Sequence, residues 1–237
     1  MAAPSIKYES LRKLIIMVAK KINLDYKANS GDGDGRLISA IMEKSFLDKL
    51  EVGIHKINAK IKIVRPAIRH WYDIMIENIP VNLKITSGGS DNAFNKTAIA
   101  YTILGYEANS SQHLGFSEWY DFIKKHYNSN MTRTPYNEYH YLVIHKNDPS
   151  KVLFKSILDI NTYRANPSNV LQIKWKHEFN HFTYSIGNDN STYQQKKLEL
   201  LKCIQTSLVK EYSSKRKFIE AHIDIDLDQK RKKCRKR

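Results

Sequence analysis

The stretch His70 to Thr86, HWYDIMIENIPVNLKIT, constrains this chain more than any other. It reads as two short antiparallel strands, Trp71–Ile76 and Val81–Thr86, joined by a tight turn near Asn78-Ile79. Side chains alternate between the two faces of a strand. Tyr72, Ile74 and Ile76 therefore share one face, which Val81, Leu83 and Ile85 continue as an apolar core surface. The other face carries Trp71, Asp73 and Met75, then Asn82, Lys84 and Thr86. A turn centred between Asn78 and Ile79 sets Asp73 across from Lys84, and Met75 across from Asn82. Cross-strand partners stand roughly 4.5–5.5 Å apart at Cβ. A carboxylate and an ammonium thus meet on the non-core face. Such pairs are common on wet sheet faces and contribute little to stability, so the rest of the chain decides what this one does.

A chain of 237 residues can bury one substantial core, and 41% hydrophobic with 27% charged residues is ordinary for a globular protein. The net charge of +15 is not ordinary. Residues Lys230 to Arg237 hold seven basic side chains around Cys234, and removing them leaves about +8, so the body is basic too. A basic body points to a polyanionic partner, nucleic acid first. The tail reads equally as a solvated charge run or as a phosphate-binding arm. The expected organisation is a single domain over residues 1–228 with a basic tail over 229–237.

Two cysteines, Cys203 and Cys234, offer neither a disulfide framework nor a cysteine zinc site, as expected of a cytoplasmic protein. Leu14–Ala19 is apolar, but Lys20-Lys21 follows at once. That run is too short for a membrane span.

Tyr8 to Ile22 has Leu11, Leu14, Ile15, Val18 and Ile22 at helical spacing. The Asp-Gly alternation from Ser30 to Gly35 suggests a calcium loop but lacks the further acidic ligands of an EF-hand. A second helix is expected from about Ser39 to Glu51, with Glu43 on the side of Phe46, Leu47 and Leu50. Alternation at Ile57, Ala59, Ile61 and Ile63 predicts a strand before Pro66. Ser90 or Asp91 is expected to cap a helix running to Gly105, and Ser117 a helix from Glu118 to His126. Tyr139–His145, Val152–Lys155 and Val170–Trp175 read as strands, 161–169 as a loop, and Gln194 to Tyr212 as a helix. The expected fold class is α/β, a mixed β-sheet flanked by helices.

Metal-assisted cleavage of a phosphodiester needs acidic oxygens to hold Mg²⁺, and benefits from a lysine that stabilises charge or orients water. Asp73, followed by Asn82-Leu83-Lys84, has this layout. It resembles the PD-(D/E)XK nuclease signature. Trp71-Tyr72-Asp73, Pro80-Val81-Asn82-Leu83-Lys84 and Ser90-Asp91-Asn92 before a helix ending Leu104-Gly105 are similar to a group of small type II restriction endonucleases. So are Gly33-Asp34-Gly35-Arg36 before the acidic helix, and Asn166-Pro167 through Leu171-Gln172-Ile173-Lys174-Trp175. The likeness spans about residues 30–178. It implies a restriction-endonuclease-like core, Mg²⁺ as cofactor, double-strand cuts in DNA at a short site leaving 5′-phosphate ends, a homodimer, and a companion DNA methyltransferase.

Asn82 departs from the signature, which has Asp or Glu there. An amide oxygen can ligate Mg²⁺ but adds no charge, so a second carboxylate is expected from elsewhere. By resemblance, a helix glutamate serves, and Glu43 is the choice. Glu77 is about 13 Å along the strand from Asp73 at about 3.3 Å per residue, and Asp91 is a further candidate. Groups able to read base edges or hold phosphates are Asn92, Asn95 and Lys96, the Arg133–Asn137 loop, Arg164, and Gln172, Lys174 and Lys176.

Two readings compete. His177-Glu178-Phe179-Asn180-His181 matches the H-E-x-x-H pattern of zinc proteases, but it follows an expected strand, and Lys174 and Lys176 bring like charge towards a cation. A DNA-binding protein without catalysis also fits the charge, with Asn82 then marking a dead site.

Overall fold

A computed structural model describes residues 7–23, 35–67, 70–166, 168–180 and 192–213. The Asp-Gly loop before Gly35, Pro167, His181 and the basic tail lie outside the described residues.

The fold is α/β. Helices α1 (Tyr8–Lys21) and α2 (Gly35–Ile57) precede strands β1 (Ile63–Val64), β2 (Ile74–Ile76), β3 (Ile79–Thr86) and β4 (Ser90–Asn92). Then come α3 (Lys96–Leu104), α4 (Phe116–His126), β5 (His140–His145), β6 (Asp148–Ser156), β7 (Tyr163–Asn166), β8 (Val170–Lys174) and α5 (Trp175–Asn180). A last helix, α6, spans 192–213. The larger sheet has the order β1-β2-β3-β5-β6, parallel only between β3 and β5; a smaller one has the order β4-β8-β7.

β5 shows why helices cover both faces of the larger sheet. It has no alternation, because both of its sides are buried. Leu142 and Ile144 join Ile74, Ile76, Val81 and Leu83 in a cluster with Leu11, Ile15 and Val18 of α1 and Phe46, Leu50 and Ile54 of α2. Tyr141 and Val143 face the other way, into a cluster with α3, α4, Trp175, Leu200 and Ile204. Each fully buried aliphatic side chain contributes about 1.5–3 kcal/mol. The α1 stripe of Leu11, Ile15 and Val18 therefore docks that helix unaided by caps, of which its N-terminus has none.

Several boundaries differ from the sequence reading. α2 continues through Ile57, because Leu50 and Ile54 keep the helical period inward. The expected strand shrinks to Ile63–Val64, with Ala59 in a turn. Ser90–Asn92 is a strand paired with β8, so the cap of α3 falls to Asn95, whose side chain accepts from the Ala98 N–H. Gly115, not Ser117, caps α4. The expected loop at 161–169 contains β7. Among the described residues no helix is long and apolar enough to cross a membrane.

His140 pins α1 to the sheet. Its Nδ1 lies 2.9 Å from the Glu138 carbonyl, which can only accept, so Nδ1 carries the proton and Nε2 accepts from the Tyr8 hydroxyl at 3.0 Å. Burial lowers the imidazole pKa to about 4. In the unfolded chain it titrates near 6.5. Between these values the unfolded state binds the extra proton, so acidification removes stability and raising the pH restores it. The melting temperature should fall from pH 7 to pH 4.5, and less steeply in His140→Gln; equal slopes would show that other groups set the acid limit.

Candidate active site

β2 and β3 are joined by a two-residue turn, Glu77-Asn78, with φ of 49° and 65°. Successive left-handed residues twist the connection in the sense that hairpin strands need. The register is Ile74 with Val81, Met75 with Pro80 and Ile76 with Ile79. The turn thus lies one residue earlier than the sequence suggested, and the pairing moves by two. Asp73 meets Asn82 rather than Lys84. A shift of two preserves which face each side chain takes, so Asp73, Asn82 and Lys84 still share the side opposite Ile74, Val81 and Leu83.

Asp73 precedes β2, and its N–H donates to the Val81 carbonyl at 3.0 Å. Its Oδ2 accepts from Asn82 Nδ2 and from the Leu83 N–H, both at 2.7 Å. Burial raises the Asp73 pKa, while the Leu83 N–H, Lys84 and Arg65 pull it down. Because Asn82 turns its amide nitrogen to Asp73, its Oδ1 is left buried without a partner among the described residues. Arg65 was not singled out in the sequence. It lies close enough to Asp73 to act on its carboxylate; its Nη2 is 3.5 Å from Asp48, and its Nη1 is likewise buried and unpartnered. Its only sequence signal is a lone cation beside Pro66 ahead of the hairpin.

Asn82 Oδ1 is thus an unmatched acceptor next to one half-buried carboxylate. Carboxylate and amide oxygens of this kind suit a hard cation. Asp73 and Asn82 fit Mg²⁺, which is commonly held by one or two carboxylates with water and phosphate completing its shell. Among the described residues no three His, Cys, Asp or Glu side chains gather as a ligand set. Glu43 is half-buried on α2, which packs against the Ile74–Val81–Leu83 face. Glu77 is held in the turn, its Oε1 accepting from the Lys62 N–H at 2.7 Å. Asp91 pairs in register with Ile173 on β8.

The residues expected to touch DNA divide into two groups. Arg133 is a correction: its side chain is 1% exposed and bonds Glu138 and Asp159, so it holds the core together and cannot reach a duplex. Asn95 is spent as well, capping α3 and donating to the Trp71 carbonyl at 3.1 Å. Lys96 closes a loop onto the Leu114 carbonyl at 2.6 Å. By contrast, Asn92, Gln172 and Arg164 fall in one row across β4, β8 and β7. Lys174 is two residues along on the same face, and Lys176 is exposed on α5. In the H-E-x-x-H stretch, Glu178 is fully buried and bonds Lys155 and the Asn161 N–H. A zinc-protease base must instead face a metal-bound water.

An open polar hollow of about 520 Å³ is lined by His70, Trp71, Asn95, Thr97, Glu107, Asn109 and Gln112. A larger hollow of about 680 Å³ between α1 and α2 is mainly apolar with a lysine rim, and offers nothing for phosphate chemistry. No protein-family model, curated protein or solved structure matches this chain.

Proposed function

We propose that this protein is a Mg²⁺-dependent endonuclease with a restriction-endonuclease-like core, cutting both strands of DNA at a short sequence and leaving 5′-phosphate and 3′-hydroxyl ends. The observation that carries this reading is the Asp73–Asn82 pair, with the buried Oδ1 of Asn82 unmatched and Lys84 and Arg65 beside it. Asp73 and Asn82 would hold the ion, with water and phosphate completing its shell; Glu43, the second carboxylate that the family likeness suggests, stands on α2, which packs against the other face of the hairpin. When bound, Mg²⁺ supplies Lewis-acid charge at the phosphate and eases loss of a proton from water. Water attacks phosphorus, the bond to the 3′-oxygen breaks, and that oxygen takes up a proton. The Lys84 ammonium neutralises charge that grows on the phosphate during attack. A symmetric site would suit a homodimer, and a methyltransferase would protect host DNA.

Lys84→Ala should lower plasmid cleavage by about 10²–10³-fold, the scale of removing one charge-stabilising donor, without changing the melting temperature by more than about 0.5 kcal/mol equivalent. Wild-type rates in that variant would remove Lys84 from the chemistry. The remaining alternative is a DNA-binding protein that does not cut. It is favoured only by Asn82 standing where an acid is expected, and EDTA-insensitive binding with no nicking in Mg²⁺ would select it.

A further inference from the structure

We infer that the outer face of the β4-β8-β7 sheet is the DNA-reading surface, with Gln172 and Asn92 contacting base edges in the major groove and Arg164 and Lys174 holding flanking phosphates. This rests on the reading of the protein as one that acts on DNA and assigns where its specificity resides.

The strand register carries the inference. Arg164 pairs with Gln172, and Gln172 with Asn92, so three side chains from three strands stand in a row. Lys174 and Ser90 form the next row. The reverse face holds Leu171 and Ile173, both fully buried in the core, so the row points outward. Adjacent strands lie about 4.8 Å apart, and the row therefore spans about 10 Å. A major groove about 12 Å wide admits a two-stranded β-ribbon, so Gln172 and Asn92 on β8 and β4 would enter it while Arg164 on β7 stands at its edge.

The chemistry of the face is selective. Asparagine, glutamine and arginine can each make two hydrogen bonds to a purine edge. Gln172, Arg164 and Lys174 have no side-chain partner among the described residues, and Asn92 spends only one lone pair, accepting from the Phe94 N–H. Strands β4, β8 and β7 place no acid on this face, since Asp91 alternates to the other side. A duplex would meet amides, cations, the Ser90 hydroxyl and the Val170 side chain, and no carboxylate from these strands.

The surface is also stiff. At the β7–β8 connection, Asn166 Oδ1 accepts from the Ser168 and Asn169 N–H groups, and its own N–H donates to Ser207 on α6. The Ser207 hydroxyl donates to the Val170 carbonyl. Val170 is held at φ 59°, a costly conformation for a branched side chain. A backbone held this way loses little freedom on binding. The face also lies close to the chemistry. Asn95, at most about 11 Å along the chain from Asn92, donates to the carbonyl of Trp71, two residues before Asp73.

The test uses the full chain, in EDTA to prevent cutting, with a duplex selected by the wild type from a random pool and an unselected duplex beside it. Gln172→Ala and Asn92→Ala should each reduce the ratio of the two affinities by about tenfold or more, leaving binding to the unselected duplex and the melting temperature unchanged. Arg164→Ala and Lys174→Ala should weaken both duplexes and lower the salt slope by about one each. An unchanged ratio in both amide variants overturns the proposal, as does a wild type that selects no sequence or binds no duplex. Cutting in Mg²⁺ with unchanged ratios sinks this surface and spares the nuclease. Lost ratios without any cutting do the reverse.

Discussion

Asp73→Asn is expected to abolish Mg²⁺-dependent DNA cleavage, by about 10³-fold or more, while the protein stays folded and binds DNA. The substitution keeps an oxygen where Asp73 Oδ2 now accepts from the Asn82 amide and the Leu83 N–H. What it removes is the negative charge that a divalent ion requires, and metal stabilisation of the reacting phosphate is worth several kcal/mol. Asp73→Ala is the poorer test. It would leave the Leu83 N–H and the Asn82 amide without their acceptor, at a cost of about 1–3 kcal/mol for each buried group. Plasmid cutting and a melting curve on the same Asp73→Asn preparation check both halves. Near-normal cutting by a folded variant would place the chemistry elsewhere.

The second large effect is on stability. Arg133→Met should destabilise the fold by about 3–5 kcal/mol, the scale of removing one partner from a buried ion pair. Arg133 bonds Glu138 at 2.7 and 3.1 Å and Asp159 at 3.0 Å, with both acids almost wholly buried. Lys196 reaches Asp159 at 3.2 Å but has no contact with Glu138 among the described pairs. Burial already raises the Glu138 pKa, and Arg133 is the chief group opposing that rise. Without it the folded-state pKa climbs further above the unfolded value. Stability then falls as pH rises through the folded pKa and returns on acidification. Denaturant titrations should therefore show a deficit against wild type that is largest at pH 8 and shrinks towards pH 5. Exposed Arg164, replaced by Ala, should stay within about 0.5 kcal/mol of wild type. Equal stabilities for the two arginine variants would contradict the division between them.

How far the sequence disclosed this depended on the range of each interaction. From Ile74 onward the hairpin faces were legible because alternation is local, and Ile74, Ile76, Val81 and Leu83 are buried as their spacing indicated, whereas Tyr72, ahead of β2, packs with the other cluster. The register was not, because Glu77-Asn78 lacks the glycine that usually marks such a turn, and a buried Ile79 took the first strand position instead. The cap of α3 moved because Asn92 and Ala93 pair with β8, some eighty residues onward, and no local pattern carries that. Arg133 and Arg164 look alike in sequence. Glu138, five residues on, and Asp159, twenty-six on, draw the first inward, whereas the second ends on an edge strand. Asn92, Arg164 and Gln172 were readable as three separate polar positions, but only non-local strand pairing sets them in one row. Arg65 escaped because nothing in its neighbours announces a guanidinium that approaches Asp73.

The most direct test of the central claim is to incubate the purified protein with a plasmid of known sequence in Mg²⁺ and in EDTA, and to sequence the ends produced. The account predicts discrete fragments bearing 5′-phosphates, all cut at one short sequence, in Mg²⁺ alone. A plasmid left intact across the full range of Mg²⁺ concentrations, or cut equally well in EDTA, would contradict it.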